Sequence, residues 1–234
     1  MYRLTKVPLA KTAGGRPGTK ISPKGLVIHW TANTGSGADA DNNRDYFNNS
    51  GVTASAHYIV DDHQVVQCIP EEEMAYHVGA NWYMPGALER LSDYPNDCTL
   101  GIEICVNQDG NFFKTMENTV ALAADICKRY GWSSDNLWRH YDITGKACPK
   151  FFVDASTAAA YGFLSGNAGW KDFKEAVEKN IGEKEKPEVP KWKQEIMEQA
   201  RANGLISEDH DPDELGSKWF VLAVALNLLK KIED

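Results

Sequence analysis

No apolar run in this 234-residue sequence is long enough to cross a membrane. The longest near the end, Trp219 to Leu229, is interrupted by Asn227 and falls short of the roughly 20 residues a spanning helix needs. Membrane insertion is therefore not expected. Met1-Tyr2-Arg3-Leu4-Thr5-Lys6-Val7-Pro8 also lacks the apolar stretch of about 7–15 residues that marks a secretory signal. The expectation is a protein made in the cytoplasm and kept soluble. Positive charge is in deficit, with 25 Lys and Arg against 33 Asp and Glu and a formal net charge of −8. That balance lacks the basic footprint of nucleic-acid binding and argues against simple attraction to an anionic surface. Cysteines number five, odd and at scattered spacing, which does not suggest a disulfide framework. Cys105 and Cys127 sit in apolar surroundings as buried thiols, Cys68 ends an apolar segment, and Cys98 lies in the loop Asn96-Asp97-Cys98-Thr99. Cys148 has different company.

Cys148 nearly closes the segment Arg139-His140-Tyr141-Asp142-Ile143-Thr144-Gly145-Lys146-Ala147-Cys148-Pro149. His140 and Cys148 are two good soft-metal ligands on one short loop. Gly145 can bend that loop back on itself, Lys146 supplies a mobile cation, and Pro149 stiffens the exit by fixing φ and removing a donor. Such a loop can bring an imidazole nitrogen and a thiolate to one zinc ion, at about 2.0–2.1 and about 2.3 Å. A third ligand must come from elsewhere. Leu26-Val27-Ile28 reads as a buried strand, and His29 closes it just before a polar loop. Open α/β sheets gather their sites at the carboxyl ends of strands. A histidine ending an apolar strand is more often structural, but beside His140 and Cys148 it reads as the third ligand.

A second apolar strand, Leu100 to Val106, carries Glu103 in its middle. A carboxylate there is costly unless paired or functional. Glu103 is thus either the partner of a buried cation or a general base facing a groove. Residues 55–60 and 64–69 read as a hairpin around Asp61-Asp62-His63. Residues 39–49 read as a helix with Ala40, Tyr46 and Phe47 inward, and 118–130 as a helix stopped by Gly131. Trp170, Phe173 and Val177 have the spacing of a closing amphipathic helix. Residues 1–24 read as an extended approach, Glu71-Glu72-Glu73 as a solvated face, and residues 81–99 as a functional loop. The loop's Trp82, Tyr83 and Tyr94 either line a groove or pack the loop down. Residues 182–190, charged and proline-bearing, read as a linker. Beyond them 192–203 and 219–231 read as amphipathic helices. The acidic turn 208–213 lacks EF-hand spacing and reads as solvated.

Four segments carry a resemblance. Val27-Ile28-His29-Trp30-Thr31-Ala32, Ser55-Ala56-His57-Tyr58-Ile59-Val60-Asp61, Gly101-Ile102-Glu103-Ile104 and His140 to Pro149 together resemble the type 2 N-acetylmuramoyl-L-alanine amidases. These are zinc enzymes of phage endolysins and bacterial autolysins, related to the peptidoglycan recognition proteins. The segments occur in the family's order and span most of residues 20–150. The resemblance implies an α/β fold, a central mixed β-sheet flanked by helices, with a zinc site in a surface groove. It implies Zn2+ held by His29, His140 and Cys148, with Glu103 as general base and Lys146 stabilising the oxyanion. His77 resembles the histidine of the family's His-Ala-Gly element, which lies near the metal without ligating it, and is assigned to substrate binding. Some relatives place a tyrosine directly before the histidine of the Ser-Ala-His57-Tyr motif. Ala56 stands there instead, so the mechanism using Glu103 and Lys146 is favoured, and His57 is read as structural or as a support behind the ligands, outside the catalytic set.

The resemblance also orders the chain. Residues 1–181 would be the catalytic domain, 182–190 a linker, and 191–234 a small helical module that is a candidate cell-wall binder. The expected reaction is hydrolysis of the amide between N-acetylmuramic acid and L-alanine of bacterial peptidoglycan. Reaching the wall would require release through a separate pore-forming protein. Nucleic acid is not an expected partner, and the sequence sets no oligomeric state. Three rivals share parts of this pattern. A cytoplasmic amidase recycling soluble muropeptides would have the same zinc site. A non-catalytic peptidoglycan-recognition module would share the fold, but such modules typically lose the cysteine ligand present here as Cys148. A protein using zinc only to fold would need a closed site, with His77 or Glu103 as fourth ligand.

Overall fold

The computed structural model describes residues 2–182 and 191–205, and the chain divides into two compact units, Met1–Glu183 and Lys184–Asp234. Among the described residues, six strands form one sheet in the order β1-β4-β3-β5-β2-β6. They are β1 (Leu4–Lys6), β2 (Gly25–Trp30), β3 (Tyr58–Val60), β4 (Val65–Gln67), β5 (Thr99–Ile104) and β6 (Leu137–Arg139). Only the β3–β4 hairpin pairs antiparallel, so the sheet is mixed, as expected. The helices are α1 (Ala40–Phe47), α2 (Pro85–Leu88), α3 (Phe112–Tyr130), α4 (His140–Thr144), α5 (Ala155–Ala160), α6 (Gly166–Gly182) and α7 (Lys191–Ala202).

Strand side chains alternate between faces, and the two faces of this sheet are unlike. Leu26 and Ile28 of β2 and Leu100, Ile102 and Ile104 of β5 pack with Leu122 and Ile126 of α3, Phe173 and Val177 of α6, and the buried pair Phe151 and Phe152. That continuous apolar layer is the main core. Truncating a phenylalanine in such a place costs about 3–5 kcal/mol. On the opposite face two smaller clusters form. One joins Val27 to Val78, Leu91, Trp138 and Ile143, and the other joins Ile59 and Cys105 to Ala40, Phe47 and Leu9. Between them, on that same face, lie His29, Gly101 and Glu103. The parallel register sets His29 directly beside Glu103.

Several boundaries differ from those the sequence suggests. Residues 1–24 are not merely an extended approach, because β1 pairs in parallel with β4 and Leu9 is buried. Helix α3 begins six residues earlier than expected, where the Asn111 side chain accepts from the Lys114 backbone N–H and satisfies an otherwise unpaired donor. Its far end is as expected, with Gly131 at φ 66°, a left-handed position that costs glycine little. Tyr46 does not belong to the inner face of α1 and is 59% exposed. In the second unit, Gly204 at φ 60° follows the end of α7. The expected helix 219–231, the acidic turn 208–213 and linker residues 183–190 lie outside the described residues. Among the described residues, no helix is long and apolar enough to cross a membrane.

Candidate metal centre

Three adjacent strands deliver the chemistry to one place. β2 carries His29 and β5 carries Glu103. β6, on the other flank of β2, runs straight into α4, whose first residue is His140. Gly145 caps α4 in the left-handed region at φ 78°, which turns the chain back toward the strand ends, as the sequence suggests. Tyr141 N–H donates to the Cys148 carbonyl at 3.0 Å, pinning the two ends of the loop together. Arg139 then fastens the loop from below. Its guanidinium holds Asp142 at 2.7 Å and donates to the Phe152 carbonyl at 2.7 Å and to Asn167 Oδ1 at 3.0 Å. Asn167 lies on α6, so the closing helix supports this loop as well as the main core.

The result is a convergence of donors. His29 Nδ1 lies 3.1 Å from His140 Nδ1 and 3.7 Å from Cys148 Sγ. One donor atom from each residue lies within 4.8 Å of the other two, and all three side chains are buried. Two imidazoles and a thiol form a donor set suited to a borderline or soft divalent ion. Burial, with Lys146 adding to it, holds the His140 imidazole down at about 4. His29 is lowered well below its ordinary value by burial and by His140 and His77. Both rings are therefore neutral and can offer lone pairs. Burial and the charge of Glu103 push the Cys148 thiol up to about 12, so its thiolate depends on a cation among the three donors.

The groove above these donors has a volume of about 260 Å³ and is also lined by Glu103, Lys146, Trp30, Tyr46 and Tyr76. Glu103 is half-buried, and among the described residues its Oε2 has no hydrogen-bond partner. Burial raises its carboxyl to about 8, with Lys146 pulling the other way. The unsatisfied Oε2 does not fit a carboxylate fully paired with a buried cation. Lys146 is exposed on the groove wall.

His77 lies beneath His29, its Nδ1 3.0 Å from His29 Nε2. That nitrogen is on the side of the His29 ring away from the donor cluster, so His77 does not reach the cluster as a fourth ligand. His57 bridges backbone, with Gly101 N–H donating to its Nδ1 at 3.0 Å and its Nε2 2.9 Å from the Glu73 carbonyl. Of the two roles expected of it, these bonds fit the structural one. The aromatics of loop 81–99 do not line the groove. Tyr83 packs with Val27 and Ile143, while Trp82 and Tyr94 are exposed. Tyr46 and Tyr76 take the groove positions instead. Tyr46 could have been found from its place on the outward side of a helix that starts after the polar loop following His29.

Comparison with known proteins adds to this geometry. Residues 18–151 match the family model described as N-acetylmuramoyl-L-alanine amidase. A Bacillus licheniformis protein named "Probable N-acetylmuramoyl-L-alanine amidase" is 43% identical over 153 residues, covering 62% of this chain and 42% of its own length. The N-acetylmuramoyl-L-alanine amidase BlyA of Bacillus subtilis is 39% identical over 150 residues, with coverages of 60% and 40%. This chain thus matches about two fifths of the length of these relatives. Among solved structures, the catalytic domain of XlyA aligns with a TM-score of 0.59 at 28% identity, covering 75% of this chain and 99% of that one. A mutant endolysin from Bacillus subtilis aligns at 0.62 and 29% identity, covering 76% and 99%.

Proposed function

This chain belongs to the N-acetylmuramoyl-L-alanine amidase family, and on that premise we propose that it hydrolyses the amide joining the lactyl group of N-acetylmuramic acid to the first L-alanine of the peptidoglycan stem peptide. The observation that carries the proposal is the convergence of His29, His140 and Cys148 beside an unpartnered carboxylate in one groove. The donors suit zinc. His29, His140 and Cys148 would hold it, since imidazole nitrogen and thiolate sulfur are its ordinary ligands and one donor atom of each lies within 4.8 Å of the other two. Zinc held by these three residues supplies a Lewis acid that polarises a carbonyl and acidifies water.

The remaining work falls to side chains. Glu103 takes the proton of the attacking water and passes it to the departing amine. A carboxyl raised toward neutrality is suited to both halves of that task. Lys146 donates to the oxyanion that forms as the carbonyl is attacked, from the groove wall where a mobile ammonium can follow the developing charge. One thiolate and two neutral imidazoles leave a zinc site with net positive charge, which strengthens both effects. The reading is an enzyme of endolysin or autolysin type, acting on the cell wall. Residues 191–234 would then tether it there, raising its effective concentration at an insoluble substrate.

A digest of purified peptidoglycan tests the reaction directly. Newly freed L-alanine amino termini should appear without newly freed reducing sugars, and a chelator should stop their release until zinc is restored. Reducing ends in place of amino termini would overturn the proposal.

A further inference from the structure

His29 is held from both sides. Its Nδ1 faces the donor cluster, while its Nε2 points inward to His77 Nδ1 at 3.0 Å. His77 in turn sets its Nε2 3.3 Å from both the carbonyl oxygen and the hydroxyl of Thr99. That hydroxyl donates its own hydrogen to the Pro95 carbonyl at 2.6 Å, so toward His77 it offers only a lone pair. The proton positions follow in order. A metal on His29 Nδ1 requires the hydrogen of that ring to sit on Nε2, where it must donate. His77 Nδ1 therefore accepts, and the hydrogen of His77 lies on Nε2, aimed at two acceptors on Thr99. Every nitrogen along this line has a partner of the right kind.

The surroundings are built for that ring. A Cβ on Gly101 would stand 2.8 Å from His77 Cγ and 2.9 Å from Nδ1, so glycine at this strand position is what makes room for the imidazole. Buried Asn96 accepts from the backbone N–H of both His77 and Val78, at 3.0 and 2.9 Å, which fixes the segment. The ring sits edge-on to His29 on one side and to His57 on the other. It is 8% exposed and still forms part of the groove lining.

We propose that His77 is a positioning residue for the metal centre, accepting from His29 Nε2 and relaying that hydrogen bond to Thr99 in the space Gly101 leaves. The inference rests on the zinc reading of the three donors. Groups that orient a ligating histidine are commonly carboxylates or backbone carbonyls. A neutral imidazole in that role orients the ring equally well and adds no negative charge. It therefore leaves the site's positive charge undiminished for polarising an amide carbonyl.

The test compares His77→Ala with His77→Asn, whose side-chain oxygen takes the place of Nδ1 and can accept from His29. Zinc dissociation constants are read by competition with a chromophoric chelator. Visible spectra of the cobalt-substituted proteins report ligand geometry, and melts of the metal-free proteins report folding. His77→Ala should weaken zinc roughly 10–100-fold and alter the cobalt spectrum, and His77→Asn should restore most of both. Gly101→Ala should displace the ring and mimic His77→Ala. Zinc affinity and cobalt spectrum unchanged in folded His77→Ala would overturn the proposal. So would a folded His77→Asn as impaired as His77→Ala; if His77→Ala does not fold, His77→Asn against the unaltered protein decides. None of these readouts involves peptidoglycan, so an unaltered protein that binds zinc yet fails the wall digest would sink the proposed reaction and leave this inference standing.

Discussion

Two half-buried glutamates, one serving each face of the sheet, have opposite circumstances. Glu71 reaches Arg129 and Tyr130 of α3 and Tyr58 of β3. It accepts from Arg129 at 2.6 and 2.8 Å, from the Tyr58 hydroxyl at 2.7 Å and from the Tyr130 hydroxyl at 3.2 Å. Burial alone would raise its carboxyl, but the bonds from Arg129 and Tyr58 outweigh that and hold it below the usual range. Glu103 is also half-buried, but only the charge of Lys146 pulls its carboxyl down. Among the described residues its Oε2 has no partner, and its carboxyl is raised to about 8. A charge with every lone pair answered ties elements together, whereas an unanswered one is tolerated where the chemistry needs it.

The sharpest break of this comparison is by activity. Glu103→Ala should keep its zinc and its fold while losing roughly 10²–10⁴ in turnover, the usual contribution of a positioned general base. Turnover on peptidoglycan and zinc content by mass spectrometry check it together. Loss of the metal in this variant would make Glu103 a ligand or its support and sink its role as base. Lys146→Ala should follow with a smaller loss, on the order of 10²–10³, again with zinc retained.

Glu71→Gln should do the reverse. Turnover at 25 °C should stay within about twofold, and the fold should lose about 1–3 kcal/mol. That is less than a fully buried pair would cost when broken, because the Arg129 side chain is 43% exposed and solvent screens it. Urea unfolding monitored by tryptophan fluorescence measures the loss. A large drop in turnover with unchanged stability would erase the distinction between the two faces.

The contrast also shows what was legible in the sequence. Glu103 was readable because a carboxylate inside an apolar run violates the local pattern, and His29 because it ends such a run. Glu71-Glu72-Glu73 reads as a solvated face, and that reading is wrong for two of the three. Glu71 binds Arg129, 58 residues away, and Glu73 binds Arg16, 57 residues away, pairings no local pattern carries. Only Glu72, facing exposed Lys20, behaves as expected. Strand β6 and helix α4 escaped for another reason. Three and five residues are too short to show a period, although they contain His140. The support under the metal loop was hidden likewise, since Arg139 meets Asn167 only after α6 has packed. His77 was noticed in the sequence, but its place beneath His29 depends on Gly101 of a neighbouring strand.

Protein stripped of metal isolates the carboxylate of Glu103 itself. An acid whose folded pKa is raised keeps its proton after the unfolded chain has released it. Between 4.5 and about 8, the ordinary and folded values for Glu103, the folded state binds more protons, so stability falls as pH rises. Below that window both states are protonated and Glu103 contributes nothing. Glutamine cannot ionise, so the melting temperature of metal-free Glu103→Gln should exceed that of the unaltered protein by an amount near zero at pH about 4 and largest above pH about 8. For a chain of this size each kcal/mol moves the melt by about 2–4 °C, within reach of calorimetry. The buried imidazoles of His29, His57, His77 and His140 all have lowered pKa values and lose stability as pH falls. They are common to both proteins, so to first order they drop out of the difference. Glu71→Gln should give a difference of the opposite sign, a loss present above about 4.5 that shrinks as pH falls through the lowered pKa of Glu71. Two curves of the same sign would mean that the glutamates share one environment, and that burial without a partner is not what sets Glu103 apart.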